Sequence, residues 1–437
     1  MLKHAFKRIV IVLITTLAKL VIERYHPQVI AITGSVGKTT SKDAIFSALS
    51  SKGFVRKSEK SFNSEIGVPL SILGRPNAWS NPVSWLANIF SGLSLLIGKH
   101  PYPEKLVLEI GADRPGDIRS VAHWLKPDVV VVTRIPEVPV HVEFFESPDD
   151  VVKEKAELVK VLKEGGVLAL NADDERVLAL ARLAPKGARV VAFGFSRGAD
   201  VSASKIGVRY EGRGEKRHPV GVRFMVRTGE QNGEMKIAGT VGKQSVSAAL
   251  SGIAVASALG YSFESINQGL SGFSAPPGRM RLIEGVKHSM IIDDTYNSSP
   301  VAVRNALDTL KEVTTKGRTI AVLGDMLELG RFSVQEHKSI GVYAKECVDT
   351  LVVIGVRSKD SALEALSAGM DSSNVLQFED ASSAGRALEQ IIKPNDVILV
   401  KGSQGMRMER IVERIMAHPE ERGRLLARQE TEWRERQ

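Results

Sequence analysis

The chain has 437 residues, 43% hydrophobic and 5% aromatic, with 38 glycines; this length allows two or three cored domains, and the mixture suits strands alternating with helices better than an all-β sandwich. Cys347 is the only cysteine, which excludes an intrachain disulfide framework and a multi-cysteine zinc site and suits a reducing compartment. The net charge of +9 implies anionic partners, but the basic residues form no nucleic-acid motif, so no nucleic acid is expected and phosphates or a membrane surface fit better.

Residues 9–22 are apolar apart from Thr15, Thr16 and Lys19, and they follow a basic start of Lys3, Lys7 and Arg8. The run is shorter than the roughly 18–20 residues of a spanning helix, and no small-residue cleavage site follows it. Two readings stay open: a helix lying in or against the inner face of the cytoplasmic membrane, or one packed on the domain. A strand over 29–33 follows almost directly. Further short apolar runs predict strands over 106–110, 129–133, 167–170, 190–193, 290–293, 319–323, 351–354 and 397–400. Helices are expected over 38–51, 149–162, 246–259, 300–313 and 334–347. Apolar strands alternating with helices indicate parallel sheets covered on both faces. The stretch 201–239, with alternating runs such as 220–226, reads as an antiparallel excursion. Residues 79–97 are apolar, lack any acidic residue and end at Lys99 and His100; they suit an interfacial helix or hairpin, or a helix covering the core. Phe273-Ser-Ala-Pro-Pro-Gly278 breaks the pattern and marks a domain boundary. Cys347 falls near the end of a helix with no base beside it, a structural position. The tail from His418 is charged, with Leu425, Leu426 and Trp433 spaced for one helical face.

The strongest local signal is Val29-Ile-Ala-Ile-Thr-Gly-Ser-Val-Gly-Lys-Thr39, a buried strand running into a Gly-rich turn and a helix. Backbone amides of such a turn cradle phosphates, and the helix N-terminus adds favourable potential. Lys38 would reach the β- and γ-phosphates and Thr39 would hold Mg²⁺. The usual G-x-x-x-x-G-K-[ST] spacing needs glycine at 32, where Ile32 stands, so this is a shortened form, TGxxGKT.

TGxxGKT resembles the phosphate loop of the Mur ligase family, whose superfamily also includes folylpolyglutamate synthase and cyanophycin synthetase. Further stretches resemble that family's motifs in its order: Asn63-Ser-Glu-Ile-Gly-Val-Pro69, Leu108-Glu-Ile-Gly-Ala-Asp113 with Pro115-Gly-Asp117, His141-Val-Glu143 and Lys155-Ala-Glu157. Pro277-Gly-Arg279, Asp293-Asp-Thr-Tyr-Asn297, Gly324-Asp-Met-Leu-Glu-Leu-Gly330 and Val400-Lys-Gly-Ser403 complete the series, which spans about residues 28–415. The Asp-Asp-Thr-Tyr-Asn and Gly-Asp-Met-x-Glu-Leu-Gly stretches resemble the branch that adds D-alanyl-D-alanine to a muramoyl tripeptide.

The resemblance implies an α/β protein: a P-loop central ATP-binding domain over 28–275 with a mostly parallel sheet, then a Rossmann-like domain over 276–437, after an apolar N-terminal helix over 1–27. It implies an ATP-dependent, Mg²⁺-requiring amide ligase that phosphorylates a muropeptide carboxylate and lets a D-Ala-D-Ala-like amine attack the acyl phosphate. Gly34, Ser35, Val36, Gly37, Lys38, Thr39 and Thr40 would bind phosphate, and Gln244, Arg279, Asp294 and Asn297 the rest of the nucleotide. Thr39 and Glu109 would hold one Mg²⁺; His141 and a CO₂-derived carbamate on Lys155 would serve a second. Asn63, Ser64, Lys401 and Ser403 would meet the substrates. A monomer in the cytoplasm, touching the inner face of the membrane at most peripherally, is expected.

Two departures qualify this. The adenine-side motif is reduced to Gly242-Lys-Gln-Ser-Val-Ser-Ala248, in which Gln244 can supply only part of the hydrogen bonding. About 28 residues precede the phosphate-loop strand, too few for the UDP-binding domain that this branch carries there. The acceptor is therefore expected to be held differently, a lipid-linked muropeptide being one alternative and a folylpolyglutamate- or cyanophycin-type substrate another.

Overall fold

The computed structural model describes residues 2–59, 62–79, 81–139, 141–214 and 217–434. The side chains of Lys3 and Lys7 lie outside the described residues. The strands are β1 (Gln28–Thr33), β2 (Val55–Lys57), β3 (Lys105–Glu109), β4 (Val129–Val132), β5 (Val167–Asn171), β6 (Arg189–Gly194), β7 (Val201–Glu211), β8 (His218–Thr228), β9 (Gln231–Ala238), β10 (Arg281–Glu284), β11 (Met290–Asp294), β12 (Thr319–Gly324), β13 (Thr350–Ile354), β14 (Val375–Phe378) and β15 (Val397–Lys401). The helices of the first half are α1 (Leu2–Tyr25), α2 (Lys38–Leu49), α3 (Gly67–Leu73), α4 (Pro82–Ile97), α5 (Asp117–Leu125), α6 (Pro148–Lys160), α7 (Glu175–Ala179), α8 (Lys243–Ala258) and α9 (Phe263–Ser271). Those of the second are α10 (Pro300–Glu312), α11 (Ser333–Lys345), α12 (Lys359–Ser367), α13 (Ala381–Ile391), α14 (Glu409–Ile415), α15 (Arg422–Leu425) and α16 (Thr431–Arg434).

The first sheet has the order β2-β3-β1-β4-β5-β6-β7-β8-β9. Its strands pair in parallel from β2 to β7, and β7-β8-β9 continue it as an antiparallel meander. That meander is the expected excursion over 201–239. Side chains alternate between faces. Val29, Ala31, Val130 and Val132 face a core built with α1, α3, α5 and α6. Ile30, Ile32, Val129 and Val131 face one built with α2, α8 and α9. Two-sided burial explains the unbroken β-branched runs, such as Val129–Val132. The chain leaves β1 on one side towards β2 and β3 and later returns on the other as β4. The loop after β1 therefore lies at the topological switch point, where such sheets bind ligands.

The second sheet has the order β10-β11-β15-β12-β13-β14, parallel except for β10 at its edge. Ile292, Ala321 and Leu323 pack with α10, α11 and α12. Ile291, Ile320 and Val322 pack with α13 and α14. Cys347 is buried in the first of these cores, just beyond the end of α11. Three edge or near-edge strands, β2, β10 and β14, went unread because they are only three or four residues long and partly exposed.

α1 extends further in both directions than the apolar run. Val10, Ile14, Leu17, Ala18 and Val21 are buried in the core, which matches a helix packed on the domain. No helix among the described residues is long and apolar enough to cross a membrane. The apolar stretch ending at Ile97 forms a single helix, α4, with Asn81 accepting from the Ser84 amide as its N-cap. The tail forms two short helical turns, α15 and α16, instead of one amphipathic face, and Leu425 and Leu426 are buried.

Candidate active site

The loop from β1 to α2 is held open by glycine chemistry. A Cβ on Gly34 would stand 2.0 Å from Thr133 Oγ1, so the loop can approach β4 only without a side chain. Gly37 takes φ 88° as the N-cap of α2 and provides no side-chain cap, and the N-terminus of the helix, where anions are favoured, opens on this loop. Thr39 and Thr40 are buried in its first turn. The amides of Ser35 and Val36 instead donate to the Arg134 carbonyl, at 2.9 and 3.1 Å. The cradle is therefore centred on Gly37–Thr40.

Glu109 ends β3, paired in register with Ile32 of β1, so its position beside the phosphate loop follows from strand pairing. The carboxylate is 1% exposed. Oε1 accepts from Asn63 Nδ2 at 3.3 Å, while Oε2 is buried without a partner. Ser64 Oγ accepts from the Gly67 amide and begins the turn into α3. Lys155 projects from the buried face of α6, 2% exposed. The neighbouring Glu154 accepts from the amides of Gly116, Ile118 and Arg119 and so locks α6 against α5. Burial, reinforced by Lys38, pushes the Lys155 ammonium down to about 7. Burial also lowers Lys38, with Glu109 opposing and Arg279 adding to the effect.

The second sheet meets this group. His141, at φ 66°, places Nε2 3.5 Å from Asp113 and Nδ1 2.5 Å from Glu328, which lies in the loop between β12 and α11. The imidazole holds the Glu328 carboxyl below its ordinary range. Arg279 stacks over the Tyr296 ring at 4.2 Å, with its Nε buried and unpartnered. Lys401 Nζ donates to Asp294 Oδ2 at 2.7 Å and to the Asn297 carbonyl at 2.8 Å. Ser403 Oγ accepts from the Leu327 amide. Gln244, at the start of α8, has both amide atoms buried without a hydrogen-bond partner.

The arrangement asks for a polyanion and a divalent cation. Lys38, Lys155 and Arg279 share a region in which the cations disfavour one another, Lys155 buried and the other two partly so. A polyphosphate would relieve that repulsion. Unpartnered buried oxygens at Ser35, Glu109 and Ser298 supply polar atoms awaiting a ligand. No cluster of three or more His, Cys, Asp or Glu side chains forms a metal cage among the described residues. Mg²⁺ takes one or two protein oxygens together with phosphates and water; Thr39 and the unpartnered oxygen of Glu109 would hold it.

Asp113 and Glu328 lie inside quoted motifs but were not assigned, because their contacts with His141 cross between distant parts of the chain. Arg428 was missed altogether. It is buried, pairs with Glu409 at 3.0 Å, donates to the Thr295 and Tyr296 carbonyls and stacks on the Tyr296 ring. Its only signal was one arginine among many in a charged tail.

Two family profiles match the chain: the Mur ligase middle domain over residues 91–256 and the Mur ligase glutamate ligase domain over 278–404. The UDP-N-acetylmuramoyl-tripeptide–D-alanyl-D-alanine ligase of Bacillus subtilis (strain 168) is 28% identical over 404 residues, covering 92% of this chain and 79% of its own. That of Escherichia coli (strain K12) is 28% identical over 402 residues, covering 91% and 78%. Among solved structures, MurF from Thermotoga maritima in complex with ADP superposes with a TM-score of 0.73 at 26% identity, covering 92% of this chain and 83% of that one. MurF from Acinetobacter baumannii gives 0.73 at 26% identity, covering 91% and 79%. Mycobacterium tuberculosis folylpolyglutamate synthase, at 13% identity and a TM-score of 0.61 over 91% of this chain and 94% of its own, shares the fold alone. Profiles on both sheets and relatives aligned along most of the chain agree: the chain belongs to the Mur ligase family of ATP-dependent amide ligases.

Proposed function

We propose that the protein joins D-alanyl-D-alanine, or a closely similar amine, to the terminal carboxylate of a muramoyl tripeptide in peptidoglycan precursor synthesis. The observation that carries this reading is the cationic group of Lys38, Lys155 and Arg279 around the buried Glu109. ATP supplies the phosphoryl group that activates the carboxylate, and Mg²⁺ supplies charge neutralisation at its phosphates. Lys38 and Arg279 offset the negative charge that builds during phosphoryl transfer, and a site shielded from water makes them effective. The amine then attacks the acyl phosphate and phosphate departs.

In this reading the 28–275 unit binds ATP and the 276–437 unit closes the site. Asp294 and Asn297 hold ribose or phosphate, while Lys401 and Ser403 act on the substrates through the loops they fix. Asn63 and Ser64 flank the acceptor beside Glu109. A Lys155 amine near neutrality is the form that reacts with CO₂, and the carbamate would convert a cation into the anion that the second metal position beside His141 needs. Gln244 serves adenine. The working form is a cytoplasmic monomer with peripheral contact at the inner membrane face.

The test is phosphate release and peptide-bond formation with ATP, Mg²⁺ and bicarbonate, using UDP-muramoyl-tripeptide and D-Ala-D-Ala together and singly. Turnover only with both, abolished by Lys38→Ala, is expected. ATP binding without coupled turnover would overturn the substrate assignment.

A further inference from the structure

α1 and α4 are apolar on both sides. The face of α1 opposite its buried stripe carries Ile9, Val12, Leu13 and Leu20, all exposed. On α4, Trp85, Asn88 and Gly92 are buried, while Val83, Leu86, Phe90, Leu93 and Ile97 are exposed. Their spacing of three and four residues puts the α4 set on one helical face. Phe90 is 66% exposed and Ile97 83%, so this is not the fringe of a core.

The two helices form one built surface. Gly92 lets them approach, since a Cβ there would stand 3.0 Å from Leu17 Cδ1. Arg24 donates to the Leu96 and Gly98 carbonyls at 2.9 Å each, and the Tyr25 hydroxyl donates to the Leu95 carbonyl, tying the ends of α1 and α4 together. Both buried stripes join the same core, so the exposed stripes point away from it. A contiguous apolar surface of this extent on a soluble domain marks an interaction site.

Charge selects the occupant. Residues 2–22 and 75–103 contain no Asp or Glu, and their ionised side chains are all Lys or Arg. Arg8 lies exposed just ahead of the α1 stripe, Lys99 just past the α4 stripe, and Lys19 between them, with Nζ 5.9 Å from the Trp124 ring. Trp79 is half exposed at the approach to α4, an amphipathic ring suited to a water–lipid boundary. Apolar stripes bounded by cations, with the exposed Glu23 near the end of α1 as the one carboxylate on either helix, match an anionic bilayer, into which such a face sinks roughly 5–10 Å. We propose that the exposed α1–α4 face docks the enzyme on an anionic phospholipid surface. This deepens the membrane contact in the reading above but uses none of its catalytic residues.

The experiment is flotation of the full chain with vesicles of phosphatidylcholine containing phosphatidylglycerol, against phosphatidylcholine alone. The wild type is expected to float with the anionic vesicles, less so at high salt. The Leu86→Glu/Phe90→Glu variant, altered only at exposed positions, should bind at least about tenfold more weakly. Phosphate release on soluble substrates should be unchanged in that variant. Flotation that persists while the soluble substrates fail would uphold docking and count only against the substrate assignment. Absence of flotation, or equal flotation of both proteins, would overturn the proposal. So would a concentration-dependent dimer in sedimentation that the same substitutions dissolve, since the face would then belong to a second copy.

Discussion

Lys401 and Asp294 are register partners at the ends of adjacent strands β15 and β11, and their side chains meet at 2.7 Å with both residues buried. The same ammonium holds the Asn297 carbonyl, so one lysine fixes the whole turn that follows β11. Burial lowers the Lys401 ammonium, and Asp294 is the main group opposing that shift. The pair is thus a clamp on the turn that follows β11.

Removing half of such a pair leaves an uncompensated buried charge. Lys401→Met is expected to cost about 3 kcal/mol or more in urea unfolding. Its KM for ATP should rise more than its KM for the amine, because the loosened group is Asp294. Lys401→Met with Asp294→Asn should recover part of the stability without recovering the KM. A double-mutant cycle showing no coupling would mean the two side chains act independently.

Asp293, the residue of β11 before Asp294, gives a pH signature. It accepts from the Gly278 amide, the Thr295 amide and the Thr295 hydroxyl, and burial raises its carboxyl to about 6 against those hydrogen bonds. The folded chain therefore holds this proton more tightly than the unfolded chain. The resulting stability is present below the unfolded carboxylate range, near 4, and is lost as pH rises through about 6. Thermal melts of Asp293→Asn should show a flatter pH dependence between those values than the wild type. An unchanged slope would place the proton elsewhere.

Lys155 should make catalysis depend on dissolved CO₂. Its ammonium is pushed down to about 7, so the reactive free amine dominates above that pH and is lost below it. Activity in CO₂-depleted buffer should fall and return on adding bicarbonate at pH 8. Bicarbonate should restore less at pH 6, where the amine is protonated. Lys155→Arg, which cannot form the carbamate, should be inactive and indifferent to bicarbonate; a bicarbonate-responsive arginine variant would exclude Lys155 as the acceptor.

The two sheets and the phosphate loop were legible because their signals are local. β1, the glycines at 34 and 37 and the start of α2 are consecutive, and buried parallel strands announce themselves by unbroken apolar runs. Glu109 was legible for a related reason, as the last residue of a strand that pairs beside β1. The engagement of Ser35 and Val36 by Arg134 was not, because it depends on how the link after β4 folds back. Arg428 was invisible for the same reason. Nothing in its neighbours predicts that a tail arginine will become buried against Glu409, 19 residues away, and the carbonyls of Thr295 and Tyr296, 133 and 132 residues away. The apolar content of α1 was plain, but periodicity alone could not divide it into a core stripe and an exposed stripe, since both are apolar.

The His141–Glu328 contact joins the two sheets at the site and yields the last prediction. Glu328 approaches Nδ1, and Nε2 faces Asp113, so the carboxylate controls which imidazole nitrogen carries a proton. The Glu328 side chain is 40% exposed, so solvent screens the pair and its removal should change stability by less than about 1 kcal/mol. Its effect should appear in catalysis instead. Groups that orient a metal-site histidine are typically worth about 10–100-fold, so Glu328→Gln should lower kcat by roughly tenfold and raise the Mg²⁺ concentration needed for half-maximal rate. Phosphate release measured against Mg²⁺ reads both effects. A variant with normal Mg²⁺ dependence but a large loss of melting temperature would show that the contact only holds the two sheets together and leaves the metal to Thr39 and Glu109.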